Sequence, residues 1–147
     1  MTATPYLIVI DANAAIDLYC NAFGATEYVR LADSNDKIMH AEIRIGNVPI
    51  MLADEFPDMG YQSPKTLGGS AVSILLYVDD VDALFESAIA SSATLTMPVQ
   101  NQFDGDRRGT LTDPFGHRWL LATKQEDISI DELKQRFAAM LSREPAS

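Results

Sequence analysis

Gly105-Asp106-Arg107-Arg108-Gly109-Thr110-Leu111-Thr112-Asp113-Pro114-Phe115-Gly116-His117-Arg118-Trp119, continued by Leu120-Leu121-Ala122, reads as strand, tight turn, strand. Pro114 presets φ at the second turn position, and Gly116 accepts a positive φ that strains other residues. The lead-in is polar and the exit apolar, so the second strand of this hairpin belongs in a core. By chemistry alone this is only a hairpin, and its meaning depends on the sequence around it.

Upstream, the chain divides into two similar halves. Tyr6–Ile10 is a β-branched apolar run that predicts a strand, and Asp11 offers an N-cap for a helix over Ala12–Phe23. Ile16, Tyr19, Cys20 and Phe23 recur at helical spacing, and Gly24 stands where a left-handed cap belongs. Thr26–Leu31 reads as a strand. Lys37–Ile45 alternates, with Ile38, His40, Glu42 and Arg44 on one face and Met39, Ala41, Ile43 and Ile45 on the other. Asn47 turns the chain into Pro49–Ala53, completing a βαβββ unit over residues 5–55.

A connector rich in Pro, Gly and polar residues follows over residues 56–69, and the pattern then repeats over residues 70–125. Val72–Val78 is a strand, Asp80 caps a helix carrying Val81, Leu84, Phe85, Ala88 and Ile89, and Thr94–Met97 leads to the hairpin. Gly24-Ala25-Thr26 matches Ser92-Ala93-Thr94 at an offset of 68, and Ile45-Gly46 matches Phe115-Gly116 at 70. Two copies of a supersecondary unit imply pseudo-twofold pairing, since a solenoid needs at least three. A last helix over residues 129–142 opens with Ser129 and Glu132 as a capping box and carries a Leu133, Phe137, Met140 and Leu141 stripe.

The bulk numbers bound the function. The chain of 147 residues is expected to be a single domain. A net charge of −10 argues against nucleic acid or an anionic membrane as partner. Cys20 is the lone cysteine, which excludes an internal disulfide and any cysteine-based zinc cluster, and its place in a helix pattern predicts a buried thiol. No signal peptide or membrane-spanning run is visible, so the cytoplasm is the expected compartment. Gly-x-Ser-x-Gly, P-loop and Gly-x-Gly-x-x-Gly motifs are missing, as is a glycine-rich turn for S-adenosylmethionine.

Five signatures in order carry a family resemblance from Pro5 to about Arg136: Ala14–Tyr19 with Ala22–Ala25, Ile38–Ile43, Met51–Glu55, Tyr77–Asp82, and the hairpin. The chain resembles the vicinal-oxygen-chelate superfamily (glyoxalase, bleomycin-resistance protein, extradiol dioxygenase), and within it the PhnB-like branch. One departure is Ser91-Ser92, where the family closes its second helix with Ala-Gly. The resemblance implies an α+β fold of two βαβββ modules around a half-open, barrel-like cleft, with a C-terminal helix. It also implies a homodimer.

Enzymes of this superfamily hold a divalent metal with His or Glu from the first strand of each module and Glu from the last. Carried onto this chain, those positions fall near Thr4 or Pro5, at Ser73, at Ile50 or Met51, and at Leu120. None suits a transition metal, so neither metal nor other cofactor is expected. With Leu120 facing the cleft, alternation turns Trp119 towards the helices.

The expected ligand-binding residues are His40, Glu42, Ser73, Tyr77, Phe103, Arg107 and Leu120, around a small organic ligand. Arg107 is chosen from the Gly-Asp-Arg match as an Arg fork for a carboxylate or phosphate. His117 is expected to bond local carbonyls. The reading is a metal-independent small-molecule binder, sequestering an antibiotic or metabolite. The alternative is an enzyme of lyase or isomerase type using His40 and Glu42 as an acid–base pair, with or without a divalent metal.

Overall fold

A computed structural model describes residues 1–143. In chain order the elements are β1 (Tyr6–Val9), α1 (Ala12–Phe23), β2 (Thr26–Ala32), β3 (Ile38–Ile45), β4 (Val48–Asp54) and a short helix α2 (Pro64–Leu67) in the connector. The second half supplies β5 (Ser73–Tyr77), α3 (Val81–Ala90), β6 (Thr94–Asn101), β7 (Asp106–Thr112) and β8 (Arg118–Lys124), followed by α4 (Ile130–Arg143). The strands form two four-stranded sheets of identical topology, β1-β4-β3-β2 and β5-β8-β7-β6. Each has one parallel pair, β1 with β4 and β5 with β8, and its helix carries the chain from that edge to the opposite one. These are the two βαβββ modules.

The helix boundaries follow from their caps. Asp11 and Asp80 accept the Ala14 and Ala83 amides, each at 3.1 Å, and Ser129 accepts the Glu132 amide at 3.1 Å. Ser91 closes α3, and Ser92 takes the left-handed turn at φ 79° where the resemblance leads one to expect glycine. The helix starts are also tied to the last strands. Asp54 of β4 is buried and accepts the Ala12 and Ile38 amides at 2.7 and 2.6 Å. At the matching place in module 2, Thr123 accepts the Val81 amide at 2.9 Å.

One hydrophobic core serves both modules. Ala41, Ile43, Ile50 and Leu52 of the first sheet and Leu111, Trp119 and Leu121 of the second are fully buried on the helix side, each leucine or isoleucine worth about 1.5–3 kcal/mol. Helices α1 and α3 touch each other, and the aromatic rings of α1 reach the second module. Trp119 sits 5.3 Å from Tyr19 and 4.8 Å from Phe23, centroid to centroid. Gly109 lets α3 close on β7, because a Cβ there would lie 2.8 Å from both Phe85 Cε2 and Val99 Cγ2.

Two local expectations are corrected. The alternation of β3 breaks at its start, where the β2–β3 register shifts between Leu31 and Ala32. Ile38 is therefore fully buried on the core side and Met39 is exposed, the reverse of strict alternation. Cys20 is half-buried rather than buried, and burial pushes its thiol pKa up. No helix among the described residues is long and apolar enough to cross a membrane.

Candidate functional site

The helices cover one face of each sheet and leave the other face to the cleft. Pairing registers assign the side chains, since residues directly opposite each other share a face. On the first sheet Tyr6, Met51, Glu42 and Val29 form one row across the four strands. On the second, Leu75, Leu120, Thr110 and Met97 form the corresponding row. Ser73, Arg118, Thr112 and Thr94 form the row beside it, and Tyr77, Ala122, Arg108 and Gln100 the row on the other side.

β1 and β5 are each an edge strand of their sheet, and a cavity lies in the seam between them. It measures about 740 Å³ and is lined by Tyr6, Ile8, Pro64, Ser73, Leu75 and His117 among others. The hairpin turn closes one end. His117 Nε2 donates to the Ile8 carbonyl at 2.9 Å, so this imidazole staples the turn of module 2 to β1 rather than to local backbone. Gly116 adopts φ 90°, and a Cβ there would stand 2.8 Å from Pro64 Cβ. Turn and connector thus meet where only glycine fits.

Two polar groupings lie on the cleft faces. In module 1 the Tyr6 hydroxyl and His40 Nδ1 share a hydrogen bond at 2.9 Å. Burial, then the neighbouring Tyr61, holds the Tyr6 pKa above its usual value. Glu42 accepts from Arg44 Nε at 2.9 Å, and the Arg44 guanidinium lies 4.1 Å from the Tyr28 ring centroid. His40 and Glu42 share a face, but each is bonded to a different partner. In module 2 the Tyr77 hydroxyl donates to Asp106 Oδ2 at 2.7 Å, and this bond raises its pKa. Arg108 bridges Asp104 and Asp106, both at 3.0 Å.

Of the expected ligand contacts, His40, Glu42, Ser73, Tyr77 and Leu120 occupy cleft faces, and Ser73 also lines the seam cavity. Two do not. Arg107 lies on the helix side of β7, opposite Thr123, and forks onto Asp82 of α3 at 2.8 and 3.0 Å. Its neighbour Arg108 takes the cleft face, as alternation demands. Phe103 lies in the turn between β6 and β7 and packs on Phe137 of α4, 5.7 Å away. It lines a separate groove of about 430 Å³ beneath that helix. Tyr6, Arg118 and the connector residue Pro64 were missed from sequence. Tyr6 is identifiable only once β1 pairs in register with Met51, and Pro64 sits in a segment without periodicity.

The slip between Ile50 and Met51 is resolved: Ile50 is fully buried in the core, whereas Met51 shares the face of Tyr6 and Glu42. The first and last strands therefore present hydroxyls, a thioether and an alkyl group (Tyr6, Ser73, Met51 and Leu120) to the cleft. This donor set does not fit a catalytic divalent metal. Among the described residues no group of three or more His, Cys, Asp and Glu is placed to hold one.

Comparison with known proteins agrees with the two-module fold. The family model for the Glyoxalase/Bleomycin resistance protein/Dioxygenase superfamily matches residues 2–121, and the chain belongs to that superfamily. Uncharacterised protein Rv0887c of Mycobacterium tuberculosis is 42% identical over 143 residues, covering 95% of this chain and 82% of that protein. Among solved structures, protein PA1353 from Pseudomonas aeruginosa has a TM-score of 0.70 at 28% identity, covering 86% of this chain and 99% of that one. The PhnB protein from Bacillus cereus has a TM-score of 0.67 at 18% identity, covering 84% and 99% respectively.

Proposed function

We propose that this member of the superfamily binds a small organic molecule in its cleft without a metal ion. The observation that carries the reading is the composition of the cleft rows. Leu75, Leu120, Met97 and Met51 supply apolar wall, while paired polar groups stand at intervals beside them. Apolar walls with sparse polar anchors are the usual makeup of ligand sites, and the adjoining seam cavity of about 740 Å³, which Tyr6, Ser73 and Leu75 share with the cleft rows, is of drug or metabolite size. Sequestration of an antibiotic or metabolite needs no catalyst and is the concrete form of the proposal. A homodimer belongs to the same reading, the outer edge strands β2 and β6 with exposed Tyr28 and Leu95 giving a second copy something to cover.

The acid–base alternative needs His40 and Glu42 to act together. Their separate commitments, to Tyr6 and to Arg44, weigh against it. A base oriented by a neighbouring hydroxyl keeps His40 alone as the residue to test.

Elemental analysis of tag-free protein, followed by calorimetric titration with Zn²⁺, Ni²⁺ and Mn²⁺, decides the first point. The expected result is near-zero metal stoichiometry and no micromolar binding. One tightly held metal per cleft, lost in His40→Ala or Glu42→Ala, would overturn the proposal and return the chain to the metalloenzymes.

A further inference from the structure

The charged side chains are distributed unevenly between the cleft faces and the rest of the protein. Arg44, Arg108, Arg118 and Lys124 stand on the cleft faces of their strands, against Glu42 and Asp106. That is four of eleven Lys and Arg but two of twenty-one Asp and Glu, in a chain of net charge −10. Three of these four are paired, Arg44 with Glu42, Arg108 with Asp104 and Asp106, and Lys124 with Asp127, so the positive charge left uncompensated on this surface is that of Arg118.

Within the cleft one arginine differs from the others. Arg44 and Arg108, the other two arginines on the cleft faces, each hold a carboxylate within 3.0 Å. Arg118 is exposed and has no carboxylate partner among the described residues. Its neighbours in register are Ser73 on β5 and Thr112 on β7. The Thr112 hydroxyl is in turn 3.4 Å from that of Thr96. A guanidinium offers a planar fork of N–H donors, and the flanking hydroxyls add O–H donors. Two residues along the strands, roughly 7 Å away, the next row is Leu75, Leu120 and Met97.

We infer that Arg118, with the Ser73 and Thr112 hydroxyls, is the oxyanion-binding end of the cleft. The ligand is then an organic acid, carboxylate or phosphoryl, whose apolar body lies on Leu75 and Leu120. This inference rests on the cleft being the ligand site, and it adds the ligand's charge. Among the described residues the Arg118 fork has no carboxylate, which leaves it to the ligand. A free carboxylate nearby would compete for the fork.

The test uses two fluorescent probes of nearly equal ring structure, 8-anilinonaphthalene-1-sulfonate and the uncharged N-phenyl-1-naphthylamine, titrated into the full chain. The wild type should prefer the sulfonate. Arg118→Gln should weaken it about tenfold or more, the loss expected for a charge-assisted hydrogen bond, while the neutral probe changes less than about twofold. Arg118→Lys, which keeps the charge but not the fork, should fall between, and it serves as the second variant if the glutamine form misfolds. Arg136→Gln, outside the cleft, should match the wild type.

Leu120→Gln should weaken both probes, and this separates the two ideas. If it does so while Arg118→Gln leaves sulfonate binding intact, the cleft reading survives and the oxyanion end is overturned. If Leu120→Gln affects neither probe, or neither binds, the cleft reading falls with it. Displacement of the sulfonate by decanoate or by decyl phosphate supports the inference and names the oxyanion. Displacement by neither overturns it.

Discussion

Asp113→Ala lowers the thermal midpoint by roughly 10 °C or more, corresponding to about 3–5 kcal/mol for loss of a buried charged hub. The Asp113 side chain is 3% exposed and receives four donors. Oδ1 accepts the Phe115 and His117 amides at 2.9 and 3.0 Å, which shapes the turn. Oδ2 accepts the Tyr19 hydroxyl at 2.5 Å and Trp119 Nε1 at 2.8 Å, which ties α1 of one module to β8 of the other. Alanine leaves a buried indole N–H and a buried phenol without an acceptor, and each such orphan costs about 1–3 kcal/mol. Asp113→Asn keeps one oxygen but turns an N–H₂ towards donors, so an intermediate loss is expected. Tyr19→Phe removes its donor along with the need for an acceptor and should cost least. Denaturant melts of the three variants check the order, and an Asp113→Ala loss below about 1 kcal/mol would refute this account of the hub.

The same hub gives the protein an alkaline limit. Burial first, and then the Asp113 carboxylate, holds the Tyr19 pKa well above its ordinary value. The unfolded chain ionises Tyr19 near about pH 10, whereas the folded chain resists ionisation. The stability this residue contributes is therefore complete below that pH and lost as pH climbs through the raised folded value. Guanidinium melts from neutral to strongly alkaline pH should show a decline that Tyr19→Phe flattens. Part of the slope remains, because Tyr6 and Tyr77 are also raised.

Local chemistry made much of the fold legible. Asp11, Asp80 and Ser129 cap helices as their spacing predicts, and Pro114 and Gly116 shape the turn as their φ preferences require. Alternation also assigned Trp119 and Leu120 to opposite faces. The sequence was silent wherever register or distance decided. The five-residue turn 113–117 sets Thr112 opposite Arg118, which puts Arg108 rather than Arg107 on the cleft face. The Gly-Asp-Arg motif match carried no such register. Phe103 lies in a turn and has no period to read, and the His117 contact with Ile8 spans 109 residues. Ile38 and Met39 lie where a strand irregularity reverses the alternation.

Neighbouring residues on β8 should separate stability from binding. Trp119→Ala is expected to cost about 3–5 kcal/mol, the usual range for a large aromatic removed from a core. The ring is fully buried, is bracketed by Tyr19 and Phe23, and takes part in the Asp113 hub. Much of that loss should appear as weakened coupling between modules, because its partners belong to α1 while its strand belongs to the second sheet. Leu120 is half-buried on the opposite face, between Leu75 and Thr110. Leu120→Gln places an amide where water already reaches, so its stability cost should stay below about 1 kcal/mol. Its effect should fall on affinity for an apolar ligand. Thermal melts and probe titration of the two variants give the comparison. A Leu120→Gln protein as unstable as Trp119→Ala would mean that the second sheet buries both faces, leaving no cleft for a ligand to enter.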